Sequence, residues 1–160
     1  MTRAEFIAER ERGAFAESAQ VHGNLYGTRR SEVERVLAEG KHVVMDIDVQ
    51  GAMQFVRAFP ESVTIFILPP SGEVLLERLK SRKTESAEQL SHRLQSALQE
   101  LTQVDEYEYV VMNDDLERAV ASVNAIVDAE IVSRERLKNL RQQVAALIER
   151  LEHEIEHHTP

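Results

Sequence analysis

Two carboxylates two residues apart, Asp46 and Asp48, are the side chains best placed for chemistry in this sequence. They lie in the stretch from Val43 to Gly51, whose apolar start is typical of a strand buried on both faces. Because residues two apart on a strand point the same way, both acids can face one site. Ligands of open α/β sheets bind beyond the carboxyl ends of the strands, so the pair indicates a binding site. On this segment alone, a strand that simply turns polar on reaching water is the favoured alternative.

The elements that would position these acids alternate as strand and helix, which predicts parallel βα units. Further strands are predicted at Val63–Leu68, stopped by Pro69, and at Tyr109–Met112. Helices are predicted from Arg3 to Arg12, from Ser31 to Gly40, from Gly51 to Arg57, from Ser71, from Ser86 and from Leu116. Ser31 with Glu34 and Ser86 with Gln89 have capping-box spacing, and Ser71 can cap its own helix.

A glutamate stands on an otherwise apolar face in the segment before the first of these strands. If residues 14–21 are extended, Glu17 shares one face with Phe15, Ala19 and Val21. A carboxylate among apolar side chains needs a hydrogen-bonding partner, because burying it unpaired is costly. The segment therefore predicts a partner for Glu17.

Length and composition exclude several classes of protein. The 160 residues suffice for one domain, contain no cysteine, and carry 19 basic against 28 acidic residues for a formal charge of −9. The acidic balance argues against a general nucleic-acid binder. No run approaches the length of a membrane span and the N-terminus has no signal-peptide core, so a cytoplasmic protein is expected.

The last part of the chain differs in character. Leucine and valine recur at intervals of three and four residues among charged neighbours, at Leu137, Leu140, Val144, Leu147 and Leu151. This is a short heptad seam, which packs on its own domain or pairs weakly with a second copy. We therefore expect a domain over residues 1–130 and a C-terminal helical extension over residues 131–160.

Five segments together resemble motifs of the guanylate kinase family. They are Phe15–Glu17, His22–Thr28, Asp46–Gly51, the arginine-rich stretch Arg78–Arg93, and Met112–Asp115, in the family's order. The resemblance covers Arg3 to Glu130. It implies a parallel-sheet α/β core of the P-loop nucleoside-monophosphate-kinase type. A GMP-binding insertion (about residues 3–40), a helical lid (about 78–101) and a long C-terminal helix would complete the fold.

The resemblance also implies a substrate and its contacts. The family transfers phosphate from ATP to GMP in purine nucleotide metabolism. Glu17 and Asp48 match the acids that accept hydrogen bonds from the guanine edge, and Thr28 matches the hydroxyl residue beside them. Tyr26 matches the tyrosine that donates to the nucleotide phosphate. Carboxylates suit this task because guanine presents N–H donors where adenine offers a different pattern.

Further positions match the residues of the family that handle the transferred phosphate. Asp46 matches the acid near Mg²⁺, where a hard cation prefers oxygen ligands and few protein contacts. Arg78, Arg82 and Arg93 match lid arginines that gather on the phosphate groups and stabilise their charge. Asn113, together with Arg78, matches the ATP-binding side.

The match fails at the N-terminal end. The 160 residues contain no G-x-x-x-x-G-K-S/T motif, whose backbone N–H groups and lysine cradle the ATP phosphates. The family's preceding arginine segment and its second phosphate-binding tyrosine are also absent, and Lys83 stands where the family has glycine. We therefore expect a truncated family member that lacks the first βα unit and is inactive. The strands beside that gap should then have exposed edges that favour association.

A non-catalytic binding module is the alternative. Guanylate-kinase-like domains of scaffold proteins bind peptides and tend to lose the nucleotide-contacting acids. This chain keeps Glu17, Asp46 and Asp48, which favours the nucleotide interpretation. A third possibility is a structural role in which the C-terminal seam pairs two copies.

Overall fold

The computed structural model describes residues 1–21, 23–80, 87–137 and 139–158. The chain divides into two compact units, Met1–Val110 and Val111–Pro160. The domain boundary predicted at residue 130 is drawn where the family resemblance ends, which is a different criterion from this division. That boundary stays a prediction.

The first unit alternates helices and short strands. In chain order its elements are α1 (Arg3–Glu11), β1 (Phe15–Val21), β2 (Asn24–Arg29), α2 (Arg30–Ala38), α3 (Val49–Ala58), β3 (Ile65–Leu68), α4 (Gly72–Lys80), α5 (Ala87–Leu101) and a 3-10 turn (Val104–Glu106). Strand β4 (Tyr109–Met112) spans the division, and α6 (Leu116–Ile131) and α7 (Leu140–His158) form the second unit. Within the described residues, no helix is both long and apolar enough to cross a membrane.

An antiparallel hairpin of β1 and β2 opens the fold. An irregularity between Phe15 and Glu17 shifts the register, after which Glu17 lies opposite Thr28 and Ala19 opposite Tyr26. Helix α1 packs against this hairpin, with the Phe6 and Phe15 rings stacked 4.4 Å apart between centroids. The segment predicted to be extended on the sequence pattern is therefore a strand.

Gln54 of α3 hydrogen-bonds the other edge of β1. The Ser18 backbone N–H donates to the Gln54 Oε1 at 3.1 Å, and the Gln54 Nε2 donates to the Ser18 carbonyl at 3.3 Å. Because a carboxamide offers the same donor and acceptor as a peptide group, this side chain takes the place that a neighbouring strand would occupy.

Strands β3 and β4 form the small parallel sheet that the alternating pattern predicted. The Tyr109 N–H donates to the Thr64 carbonyl at 3.0 Å, just before β3 begins. The Glu108 N–H donates to the Thr64 Oγ1 at 3.0 Å, and the Thr64 N–H donates to a Glu108 carboxylate oxygen at 3.3 Å. The α/β fold class is confirmed, with helices α4 and α5 lying between the two strands in the sequence.

The strand predicted at Val43–Ile47 is wrong. Its residues form no ladder with any described strand, and burial alternates along it, with Val44 84% exposed. Val43, Met45 and Ile47 pack against the buried cluster of Ala16, Val33 and Phe55. The apolar run thus reflects packing on one side only, without the backbone partners that a doubly buried strand requires. The side on which Asp46 and Asp48 lie is the exposed one, as the alternation predicts.

The starts of three helices test the predicted caps. Ser71 accepts from the Val74 N–H at 3.3 Å, as expected. Ser31 does not cap α2, because β2 runs without a loop to Arg29 and the helix begins at Arg30, which leaves Ser31 inside its first turn. Helix α3 begins at Val49, two residues before the predicted start, because Asp48 is its N-cap. Ser86 lies outside the described residues.

Candidate functional site

Glu17 is the buried charged residue of the described chain, with 9% of its surface exposed. The Thr28 hydroxyl, directly across the hairpin, donates to the Glu17 Oε1 at 2.7 Å. This short bond fixes one carboxylate oxygen and offsets part of the cost of burial. The predicted partner of Glu17 is therefore Thr28, the residue that the family resemblance places beside it.

Tyr26 lies on the same face of the hairpin as this pair. Paired residues of an antiparallel ladder project to the same side, and Tyr26 is two residues from Thr28 on β2. Its side chain is 57% exposed. The hairpin thus presents a buried acid, a hydroxyl and an accessible phenol in a row, which can receive a ligand with N–H donors at one end and an anionic group at the other.

Asp48 lies where the exposed segment enters α3. Its Oδ1 accepts from the Gly51 N–H at 2.7 Å, which fixes the carboxylate at the start of the helix. A cavity of about 120 Å³ opens beside it. The residues that line it are Asp48, Val49, Gln50, Ser96, Gln99, Glu100 and Gln103. Asp48 therefore contributes to a concave polar site between α3 and α5.

Glu100 is the residue of this cavity that the sequence reasoning missed. Burial, and then the charge of Asp48, raise the pKa of the Glu100 carboxyl above its ordinary value. Burial, followed by Glu100 and Asp48, also raises the pKa of the Tyr107 phenol. The sequence did contain one signal for placing Glu100 near the predicted site. Glu100 follows Arg93 by two helical turns, so both lie on the same face of α5.

The carboxyl pair predicts a dependence of stability on pH. Because the pKa of Glu100 is raised in the folded state, the folded chain holds this proton more tightly than the unfolded chain does. The stability that the protonated form contributes is complete below the ordinary pKa of 4.5 and is lost as pH rises through the raised pKa. We therefore expect Glu100→Gln to unfold at higher urea concentration than the parent at pH 7. The difference should shrink toward pH 4.

Urea unfolding at both pH values, followed by circular dichroism, measures this effect. Glu77→Gln, at an exposed glutamate of α4, is the matched control and should change little at either pH. An equal gain from both variants, or a gain from Glu100→Gln that grows on acidification, would contradict the assignment.

The predicted lid arginines lie around α4 and α5. Arg78 is in the last turn of α4, and the Arg93 Nη1 of α5 donates to the Leu79 carbonyl at 2.8 Å. Arg93 thus joins the end of α4 to α5. Arg82 lies outside the described residues. The convergence of these arginines on a phosphate stays a prediction.

The remaining predicted positions concern metal and ATP. Asp46 is exposed, on the same side of its segment as Asp48. Among the described residues, no three His, Cys, Asp or Glu side chains form a metal-binding group. Mg²⁺ at phosphoryl-transfer sites commonly uses one or two carboxylates, water and substrate phosphates, so an accessible Asp46 fits such a role. Asn113 follows β4 in the second unit, and its role stays a prediction.

Comparison with known proteins identifies the family. A sequence model described as guanylate kinase matches residues 1–130. The chain is 46% identical over 148 residues to the guanylate kinase of Chelativorans sp. (strain BNC1), covering 92% of this chain and 68% of the relative. It is 44% identical over 144 residues to that of Hahella chejuensis, covering 90% and 67%.

A solved structure agrees with these relatives. The crystal structure of guanylate kinase from Anaplasma phagocytophilum matches with a TM-score of 0.69 at 32% identity, covering 90% of this chain and 70% of that one. The chain spans about two thirds of the length of the curated relatives it matches. The family inferred from the five motifs is thereby confirmed: this chain belongs to the guanylate kinase family.

Proposed function

We propose that this chain binds GMP on the β1–β2 hairpin and that the reaction it serves is ATP-dependent phosphorylation of GMP to GDP. The observation that carries the proposal is the buried Glu17 carboxylate, oriented by the Thr28 hydroxyl at 2.7 Å. A buried acid that is fixed by one donor has further lone pairs for a ligand, since a carboxylate accepts about four hydrogen bonds.

Guanine fits this acid better than adenine does. The Watson–Crick edge of guanine presents N–H donors at N1 and N2, whereas adenine presents an acceptor at N1. A carboxylate facing adenine N1 would leave two acceptors opposed, and a site built to hydrogen-bond one pattern rejects the other strongly. Asp48 would contribute the second carboxylate and Tyr26 the donor to the phosphate.

The phosphoryl-transfer side of the proposal concerns Asp46 and the arginines. Mg²⁺, held through Asp46 and water, would neutralise charge on the phosphates of the nucleotides. Arg78, Arg82 and Arg93 would add guanidinium donors, which pair with phosphate oxygens in a fork. Arg78 and Asn113 would contact ATP. The family and the residue types support these roles.

We further propose that the 160-residue chain binds GMP without turning it over. They contain no G-x-x-x-x-G-K-S/T motif, and the backbone donors and lysine of that motif position the ATP phosphates. The lid arginines cannot replace this contribution, because guanidinium side chains alone do not provide the set of backbone N–H donors with which the motif surrounds the ATP phosphates.

Calorimetric titration of the chain with GMP and with AMP tests the binding proposal. We expect measurable heat with GMP, and binding of AMP at least about tenfold weaker, since one mismatched buried hydrogen bond has that effect. Equal affinity for the two nucleotides would contradict the proposal. Absence of binding to both would favour the peptide-binding module instead.

A further inference from the structure

Helix α7 carries an apolar stripe that the described part of the chain leaves exposed. Its exposed apolar residues are Val144, Leu147, Ile148, Leu151 and Ile155, at 44% to 64% of their surface, and Leu140 begins the stripe. At 100° per residue these six side chains fall within about 100° of arc. A stripe of this width is what a helix uses to pack against another helix.

The stripe reads the same in both directions along the helix. Reversal about the midpoint between Leu147 and Ile148 exchanges these two residues with each other. It also exchanges Val144 with Leu151, and Leu140 with Ile155. A second copy lying antiparallel across that midpoint would therefore place an apolar side chain opposite each apolar side chain, as an isologous two-fold interface requires.

Charge distinguishes the antiparallel from the parallel arrangement. In α7 the acidic residues lie in the C-terminal half, at Glu149, Glu152, Glu154 and Glu156, and Arg141 is near the N-terminal end. A parallel pair would align the acidic halves and bring like charges together. The antiparallel pair instead places the acidic half of each helix beside the half of the other copy that contains Arg141 and no acidic residue.

The helix macrodipole favours the same arrangement. Acidic side chains near the C-terminus of a helix face its negative end, which is unfavourable for an isolated helix. In an antiparallel pair, the positive N-terminus of the neighbouring copy lies beside them. Arg150 already pairs with Glu154 within the helix at 3.7 Å, although both are largely solvated. The second copy would add Arg141 to this group.

We propose that α7 is a self-association surface whose partner is α7 of a second copy, antiparallel, with the two-fold axis between Leu147 and Ile148. The 19 residues of α7 give about 28 Å of contact length. Because two to three heptads form only a marginal coiled coil, the dimer is a weak one that dissociates on dilution. The proposal is independent of the nucleotide site.

Sedimentation of the full chain from about 1 to about 100 µM tests association, since weak interfaces populate over this range. We expect the average mass to rise toward the dimer. Leu147→Lys with Leu151→Lys should hold the mass at the monomer. The matched control, Gln142→Lys with Ala146→Lys, adds the same charge on the opposite face and should associate as the parent does. Circular dichroism verifies that both variants keep their helix.

Cysteine cross-linking tests the orientation, and the absence of native cysteine makes it unambiguous. A mixture of Leu140→Cys and Ile155→Cys chains, distinguished by mass, should give mainly the mixed disulfide on oxidation. Each variant alone should cross-link weakly. Strong cross-linking of Ile155→Cys to itself would establish a parallel pair and overturn the proposal.

A charge exchange supplies a second test of orientation. Arg141→Glu should weaken association about two- to fivefold, because it adds an acid to the half of the helix that lies beside the acidic half of the other copy. Adding Glu154→Arg to Arg141→Glu should restore it, which a merely structural role of Arg141 would not do. A monomer at every concentration, or a double variant weaker than the single one, would contradict the proposal.

Discussion

Replacement of Glu17 by alanine is expected to weaken GMP binding about 10- to 100-fold and to leave the weak binding of AMP unchanged. The change removes an acceptor from the guanine edge, and a hydrogen bond to a charged group contributes about 1.5–3 kcal/mol. Glu17 is buried and its oxygen is fixed by Thr28, so the substitution removes an acceptor that is already oriented before the ligand binds. Calorimetry with both nucleotides measures the change in discrimination.

Two further variants separate recognition from folding. Glu17→Gln keeps the shape but presents an N–H₂ group to guanine donors, so it should lose GMP binding nearly as far as alanine does. Glu34→Ala, at an exposed glutamate of α2, is the control and should leave the affinity unaltered. Urea unfolding shows whether each variant is folded. Retained preference for GMP in a folded Glu17→Gln chain would remove Glu17 from the guanine site.

The second large effect concerns turnover. The 160-residue chain, supplied with ATP, GMP and Mg²⁺, is expected to form GDP at least about 10⁴-fold more slowly than a full-length relative. A single preorganised donor is worth about 10²- to 10³-fold in such sites, and the missing motif supplies several donors and a lysine. A coupled assay for ADP formation, with and without GMP, measures the rate.

Joining the N-terminal segment of a full-length relative to this chain supplies the control. If the GMP side is intact, the longer chain should regain GMP-dependent ATP consumption, and Glu17→Ala in that longer chain should abolish it. A rate near one per second for the unextended chain would show that the phosphate-binding contribution has been assigned wrongly. Failure of the longer chain while GMP still binds would place the defect in the lid.

Sequence reasoning succeeded where a local pattern determines the structure. A glutamate on an apolar face required a partner, and the hairpin register placed Thr28 against it. The alternation of strands and helices likewise predicted β3 and β4 correctly. In both cases the pattern of residue types within each element is sufficient to predict that element.

Prediction from the sequence failed where contacts between distant parts of the chain determine the local structure. The run at Val43–Ile47 has the composition of a buried strand, yet nothing in its sequence states whether a neighbouring strand exists. The raised pKa of Glu100 comes first from burial and then from the charge of Asp48, which lies 52 residues away in the chain, so no local spacing predicts the shift. Ser31 has the spacing of a cap, but the preceding strand starts the helix before it.

The Gln54 contact with Ser18 has a consequence for what the hairpin can bind. Proteins with an open strand edge can be extended by a foreign segment, through the main-chain pairing that seeds swapped dimers and fibres. At Ser18 that place is taken by a side chain anchored in α3, so an incoming strand would have to displace two hydrogen bonds before gaining any. A side-chain carboxamide has no adjoining peptide groups to continue the pairing, so the ladder of hydrogen bonds ends at Gln54. The hairpin can accordingly keep Tyr26 exposed without recruiting other chains through this edge.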